Sequence, residues 1–191
     1  MESECLCALI DIGCEVSIIA DPREVFVDCR GRDVQDGLLA ELYREKDLTH
    51  LWLEGCDISD VSILQLSANY RLEVLDIGST RVSATVLRIV PTLFHLAGLF
   101  LRGMQGINPS IEYLVNHPSL EGIDLSFTDI AAPGLIRLLR SSRITNVDVS
   151  GTQIVPSDIL PLDDLDADPC RSVHFRFSNA EGTAIVMPRP G

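Results

Sequence analysis

Positive charge is scarce in this chain: against 28 Asp and Glu there are 15 Lys and Arg, giving a net charge of −13, and Lys46 is the sole lysine. Affinity for the phosphate backbone of nucleic acid comes largely from cationic side chains that neutralise phosphates, so nucleic acid and anionic membrane surfaces are excluded as partners. Aromatic residues make up only 5 % of the chain, with Trp52 the single tryptophan, so a core has to be built from aliphatic side chains. No apolar run approaches the ~20 residues needed to cross a bilayer. No Asn-X-Ser/Thr acceptor is present, and Met1-Glu2-Ser3-Glu4 is acidic where a secretory leader carries positive charge. These absences predict a soluble, intracellular protein, cytoplasmic in location.

Catalytic signatures are missing too. There is no Gly-x-Ser-x-Gly, no His-Glu-x-x-His, no phosphate loop and no Gly-x-Gly-x-x-Gly. His50, His95, His117 and His174 are scattered without a carboxylate or thiol at matching spacing, which reads as surface or capping histidines and predicts a protein that is not an enzyme and uses no cofactor. Six cysteines could pair on parity alone, but a reducing compartment favours free, buried thiols. Cys5-x-Cys7 followed by Cys14 lacks a fourth soft ligand at suitable spacing, so no metal is expected. Asp164, Asp166 and Asp168 alternate like a calcium loop, yet Pro169 and Phe175 stand where that loop needs Gly and Glu; a solvated acidic loop is expected instead.

What the chain does contain is a period. Leu48, Leu51, Leu53, Cys56 and Ile58 recur 24 residues later as Leu72, Leu75, Ile77, Thr80 and Val82, then as Leu96, Leu99, Leu101 and Met104, then as Leu120, Ile123, Leu125, Thr128 and Ile130, and last as Ile144, Val147, Val149, Thr152 and Ile154. A degenerate earlier copy holds Val27, Cys29, Arg32 and Val34. The fourth and sixth positions alternate as in a half-buried strand. Beyond the eleventh, apolar pairs such as Leu39 and Leu42, Ile63 and Leu66, or Leu135 and Leu138 take helical i, i+3 spacing. Asp36, Asp60 and Asn108 stand where helix N-caps are needed, and Pro109 and Pro133 where a first turn tolerates proline. Each unit thus predicts a strand, a turn and a helix of about ten residues.

This pattern resembles the leucine-rich-repeat family, and it covers roughly three quarters of the chain, 24–167. Cys or Thr at the ninth position, best seen in Leu53-Glu54-Gly55-Cys56-Asp57-Ile58, looks like the cysteine-containing subtype familiar from F-box substrate receptors. The resemblance implies an α/β leucine-rich-repeat solenoid, a right-handed βα superhelix of about six 24-residue repeats with a parallel sheet on its concave side. Units of this kind bury their apolar faces only by stacking. Residues 1–23, in which Leu6 to Ile19 are strongly apolar, are expected to cap one end. Residues 168–191 are expected to cap the other with a strand at Val173 to Phe177, a second strand within Thr183 to Met187, and a loose tail.

On the concave face the fifth column reads Asp28, Trp52, Asp76, Phe100, Asp124, Asp148, beside His50 in the third column and Arg102 in the seventh. Exposed aromatics among charges are typical interface anchors. A protein partner is therefore expected to bind through Trp52, Phe100, Asp76, Asp124, Asp148, His50 and Arg102, with the acids selecting a basic segment. Alternative roles are a structural subunit of a large multiprotein assembly, or the substrate-recognition subunit of a ubiquitin ligase; the lack of an F-box-like helical segment ahead of the repeats weighs against the last. From the incomplete ligand set around Cys5, Cys7 and Cys14, elemental analysis of purified protein should find no stoichiometric zinc, and one zinc per chain would overturn the assignment of the N-terminal cysteines.

Overall fold

The computed structural model describes residues 4–140, 143–159, 173–178 and 184–187. Among the described residues nine strands form one sheet in chain order: β1 Glu15–Ala20, β2 Arg23–Asp28, β3 Leu48–Trp52, β4 Val74–Asp76, β5 Gly98–Phe100, β6 Gly122–Asp124, β7 Asn146–Asp148, β8 His174–Ser178 and β9 Ala184–Met187. The pairs from β2 to β8 are parallel, while the two outermost pairs, β1 with β2 and β8 with β9, are antiparallel. The chain is thus α/β, with a mostly parallel sheet.

From Phe26 to Asp148 each strand residue pairs with the one 24 places on, as in Leu51 with Leu75, Leu75 with Leu99, and Leu99 with Ile123. The strands end one residue earlier than the alternation suggests, but the inter-strand hydrogen bonding runs on. Leu53 N–H donates to Asp76 O at 2.8 Å and Gly55 N–H to Gly78 O at 3.0 Å, and the same two bonds recur along the stack. The chain then turns through a left-handed residue at every unit: Gly31, Gly55, Ser79, Gly103, Phe127 and Gly151 all have positive φ. That turn sends it to the back of the sheet.

The core is a single cluster of buried side chains, almost all aliphatic, with Leu51, Leu53, Leu99, Leu101 and Leu125 fully enclosed. Each contributes roughly 1.5–3 kcal/mol of burial. The helices are shorter than expected: α1 Glu4–Asp11, α2 Asp36–Leu42, α3 Asp60–Ile63, α4 Ile107–Ser110 and α5 Ala132–Arg140, with 3-10 segments at Leu64–Ala68, Ala84–Thr92 and Ile111–Tyr113. A 3-10 helix rises about 2.0 Å per residue against 1.5 Å for an α-helix, so a 24-residue unit recrosses the sheet with fewer residues by winding more tightly.

The cap positions are also corrected. Gln35, not Asp36, is the N-cap of α2, and Ser59, not Asp60, that of α3. Asp36 instead reaches forward one unit, accepting from Ser59 N–H at 2.9 Å, from Ser59 Oγ at 2.6 Å and from Ser62 Oγ. Asp60 repeats this toward Ser83 N–H, Ser83 Oγ and Thr85 Oγ1, and Asn108 Oδ1 accepts from Ala131 N–H. These residues satisfy the neighbouring unit's helix start in place of their own. The ninth column differs as well: Thr80, Thr128 and Thr152 bond to carbonyls three residues back in their own turns, whereas the Cys56 thiol donates to Cys29 O of the preceding unit. The threonines are therefore turn locks and do not form a ladder between units.

At the N-terminal end α1 buries Cys5, Leu6 and Leu9, and Gly13, at φ 86°, turns the chain into β1. Beyond β7 the chain makes a 3-10 turn at 156–159. Cys170, the Asp163 to Asp168 loop and the tail from Pro188 lie outside the described residues.

Burial opposes ionisation of Asp36, but the bonds from Ser59 and Ser62 outweigh it and hold the carboxyl below its ordinary range. A lowered folded-state value means the stabilisation is full above the unfolded value and is lost as pH falls through the folded one. Asp36→Ala should therefore cost roughly 1–3 kcal/mol in urea unfolding at neutral pH, with the difference from wild type shrinking below about pH 4. A pH-independent difference would show that the carboxylate is not what ties the units together.

Candidate functional site

One face of the sheet packs on the helices; among the described residues the other is open. Its residues follow the pleat, so Val25, Val27, Leu51, Leu75, Leu99 and Ile123 go to the core and their neighbours in sequence point outward. The register puts Asp28, Trp52, Asp76, Phe100, Asp124, Asp148 and Arg176 in one row across seven strands. All seven residues expected to meet a partner lie on this face or at its rim, but they fall into separate groups.

Trp52 and His50 belong to an aromatic run at the β2–β3 end. The His50 ring stacks on Phe26 at 4.4 Å between centroids and tilts against Trp52 at 5.4 Å. All three are half-buried. Desolvation lowers the pKa of His50, with Glu73 and Glu24 acting in the opposite sense. Phe100 stands apart, 37 % exposed, its ring folded against Gly98, where a Cβ would lie 3.5 Å away.

The acids are not free as expected. Asp124 Oδ1 accepts from Ser126 N–H at 2.7 Å and Asp148 Oδ1 from Ser150 N–H at 2.9 Å, so each carboxylate locks the exit of its own strand. Asp148 also lies 3.6 Å from Arg176. Asp28 chelates Arg30 through both oxygens, at 2.6–3.1 Å. An acid at the last strand position is geometrically suited to this turn-closing bond, a constraint that the column pattern alone does not reveal.

Asp76 is the exception in burial. Only 6 % exposed, it stands between the larger Trp52 and Phe100 and accepts one hydrogen bond, from Gly78 N–H at 3.0 Å. Burial pushes its carboxyl up to about 6; the bond from Gly78 counters this, Glu54 and Asp124 add repulsion and Arg30 attracts.

At the C-terminal end a groove of about 550 Å³ is lined by Phe100, Asp124, Asp148, His174, Phe175 and Arg176, among others. His174 and Arg176 extend the face beyond the residues expected from the repeats, because β8 continues the parallel sheet after a step of 28 residues. Phe127 was also missed. It takes a left-handed backbone at φ 57° in a column otherwise filled by Gly and Ser, is 49 % exposed, and carries the Arg102 guanidinium 4.4 Å above its ring. A phenylalanine in a glycine column was the signal that could have found it.

His117 is buried, with Nε2 against Val90 O at 3.2 Å and Nδ1 accepting from Leu120 N–H at 3.2 Å, a loop-capping role. Cys5, Cys14, Cys29 and Cys56 are buried and free, with thiol pKa values raised by desolvation, and Cys7 is exposed. Among the described residues no three His, Cys, Asp or Glu gather as a metal site, and no helix is long and apolar enough to cross a membrane. No family model matches the chain, and no curated protein matches it.

Raising a carboxyl's folded-state value above its unfolded one destabilises the ionised protein: the contribution of Asp76 is most favourable below the unfolded value near 4 and is lost as pH rises through about 6. Asp76→Asn keeps an acceptor for Gly78 N–H and removes the charge. It should raise stability at pH 7 by roughly 2–3 kcal/mol and leave it little changed at pH 4. Equal effects at both pH values, measured by denaturant titration, would contradict a buried ionised carboxylate.

Proposed function

We propose that the chain is a non-catalytic leucine-rich-repeat solenoid that binds a protein partner on its open, concave sheet face. The 24-residue register of the parallel strands and the turn at the end of each strand support the repeat assignment. The carrying observation for function is that this face keeps large apolar rings partly in water although the core is already filled from the other side. A sheet face that spends aromatic residues without burying them is a surface suited to capture. The rings give apolar contact, and the acids lend the face a negative sign that favours a basic segment.

A second reading, a structural subunit of a larger assembly, draws support from Tyr70 and Phe94. These sit 24 residues apart in the loops leading into β4 and β5 and are 55 % and 62 % exposed.

Partner captured by affinity purification distinguishes the two. Trp52→Ala combined with Phe100→Ala should weaken binding by several kcal/mol, as expected for central anchors, while thermal melting falls far less than for Leu101→Ala. Asp124→Asn with Asp148→Asn retains the turn bonds and should slow association and reduce its salt dependence. Unchanged affinity in the ring variant, with binding lost in Tyr70→Ser and Phe94→Ser, would transfer the interface to the loops.

A further inference from the structure

We propose that Trp52, Asp76 and Phe100 together form the seat for one arginine side chain of the protein partner, its guanidinium meeting the Asp76 carboxylate between the two rings. The inference rests on the concave face being the binding face and names the chemistry that it selects. Three observations carry it.

The first is placement. Register puts Trp52, Asp76 and Phe100 on three successive strands in one row, so the two aromatic residues stand about 10 Å apart across the carboxylate, twice the strand spacing. Each ring lies toward the residue two places earlier on its own strand. Trp52 tilts toward His50 and Phe100 folds against Gly98, and among the described ring contacts they do not meet. A carboxylate with an aromatic residue on the strand to either side offers a flat cation charge and ring contact from one row.

The second is the state of the carboxylate. Asp76 is more than nine-tenths buried, has no ion pair among the described residues, and uses one oxygen for Gly78 N–H. Taking a carboxylate out of water is costly unless a cation or further hydrogen bonds compensate it. Here one backbone bond does so in part, and capacity for at least one more strong donor remains.

The third is that the chain's own nearby cations are held elsewhere. Arg30 is clamped bidentately on Asp28, with Nη2 to Oδ2 at 2.6 Å. Arg102, whose Cβ approaches within 3.0 Å of where a Gly78 Cβ would stand, turns its guanidinium onto the Phe127 ring at 4.4 Å and its Nε toward Glu54 at 3.6 Å. The left-handed backbone of Phe127 places that ring where it receives Arg102. Both intramolecular competitors are thereby kept off Asp76. Arginine is favoured over lysine because its planar, weakly hydrated guanidinium stacks on rings and donates in parallel to a carboxylate, whereas an ammonium gives up more hydration for less contact.

Trp52 is the only tryptophan, so its fluorescence reports on this seat directly. The full-length chain is titrated with N-acetyl-Gly-Arg-Gly-amide, and in parallel with the Lys and citrulline peptides, at up to millimolar concentration. The expected result is a saturable change for the Arg peptide, a several-fold weaker one for Lys and none for citrulline, which keeps the shape without the charge. Asp76→Asn, which preserves the turn bond, should weaken the Arg peptide about tenfold or more. No saturable Arg response, equal Arg and citrulline responses, or an unaffected Asp76→Asn variant would each overturn the seat. With captured partner, loss of binding in Trp52→Ala with Phe100→Ala but retention in Asp76→Asn would keep the concave face and discard the arginine. Retention in both would discard the face itself.

Discussion

Everything in this molecule depends on one coincidence of lengths: a 24-residue stretch of chain leaves a strand, recrosses behind the sheet and returns displaced by one strand spacing. Because the step is constant, every residue lies beside its counterpart, and any property repeated at that interval becomes a physical column. Leu51, Leu75, Leu99 and Ile123 form one such buried column. Parallel strands cannot be joined by hairpins and need such a crossover, here a mixture of short α and 3-10 helix. Most parallel sheets are covered on both faces. This one keeps its helices on a single side, which frees the other face.

The same step distributes the polar contacts. Asp36 and Asp60 each satisfy backbone and hydroxyl groups of the following unit, and the Cys56 thiol that of the preceding one, so part of each unit's hydrogen bonding exists only once a neighbour is in place. A broken bond in one unit is then felt in two, and cooperativity follows from polar as well as apolar contacts. At position 84 the column loses its acid and Ala84 takes its place. There Asp129 reaches backward, accepting from Gly106 N–H at 3.1 Å and Ile107 N–H at 3.0 Å, which restores support for the start of α4.

Periodicity made the strands legible: the alternation at Leu51 and Leu53 or Leu99 and Leu101 fixes which side chains go inward, and the structure pairs those strands in parallel. Pattern reading overestimated the helices because i, i+3 spacing is common to α and 3-10 windings, and the difference lies in how much chain the recrossing can spare. It misplaced the caps because a column position says that a residue stands near a helix start without saying whose start it serves. Asp76 looked equivalent to Asp124 and Asp148 by position alone. It is 6 % exposed between Trp52 and Phe100 in the row, where Asp148 has Arg176 at 3.6 Å beside it.

That inequality bears on how an open sheet can be selective. Asp28, Asp76, Asp124 and Asp148 all accept from the N–H two residues on, so the carboxylates are held rigidly by the backbone before any partner arrives. Rigid groups lose little side-chain freedom on binding, which lowers the cost of association. Asp124 and Asp148 are half-buried, and their main effect on an approaching partner is through the field they project, which steers encounter more than it stabilises the complex. Asp76 has given up more of its water on folding than the other acids of the row. The desolvation that ordinarily cancels much of an ion pair's attraction has in its case been supplied by the fold, so a cation reaching it gains more than at its less buried neighbours. One row of chemically alike acids thereby divides into long-range steering charges and a single short-range discriminator, and the division follows the depth at which each carboxylate is buried.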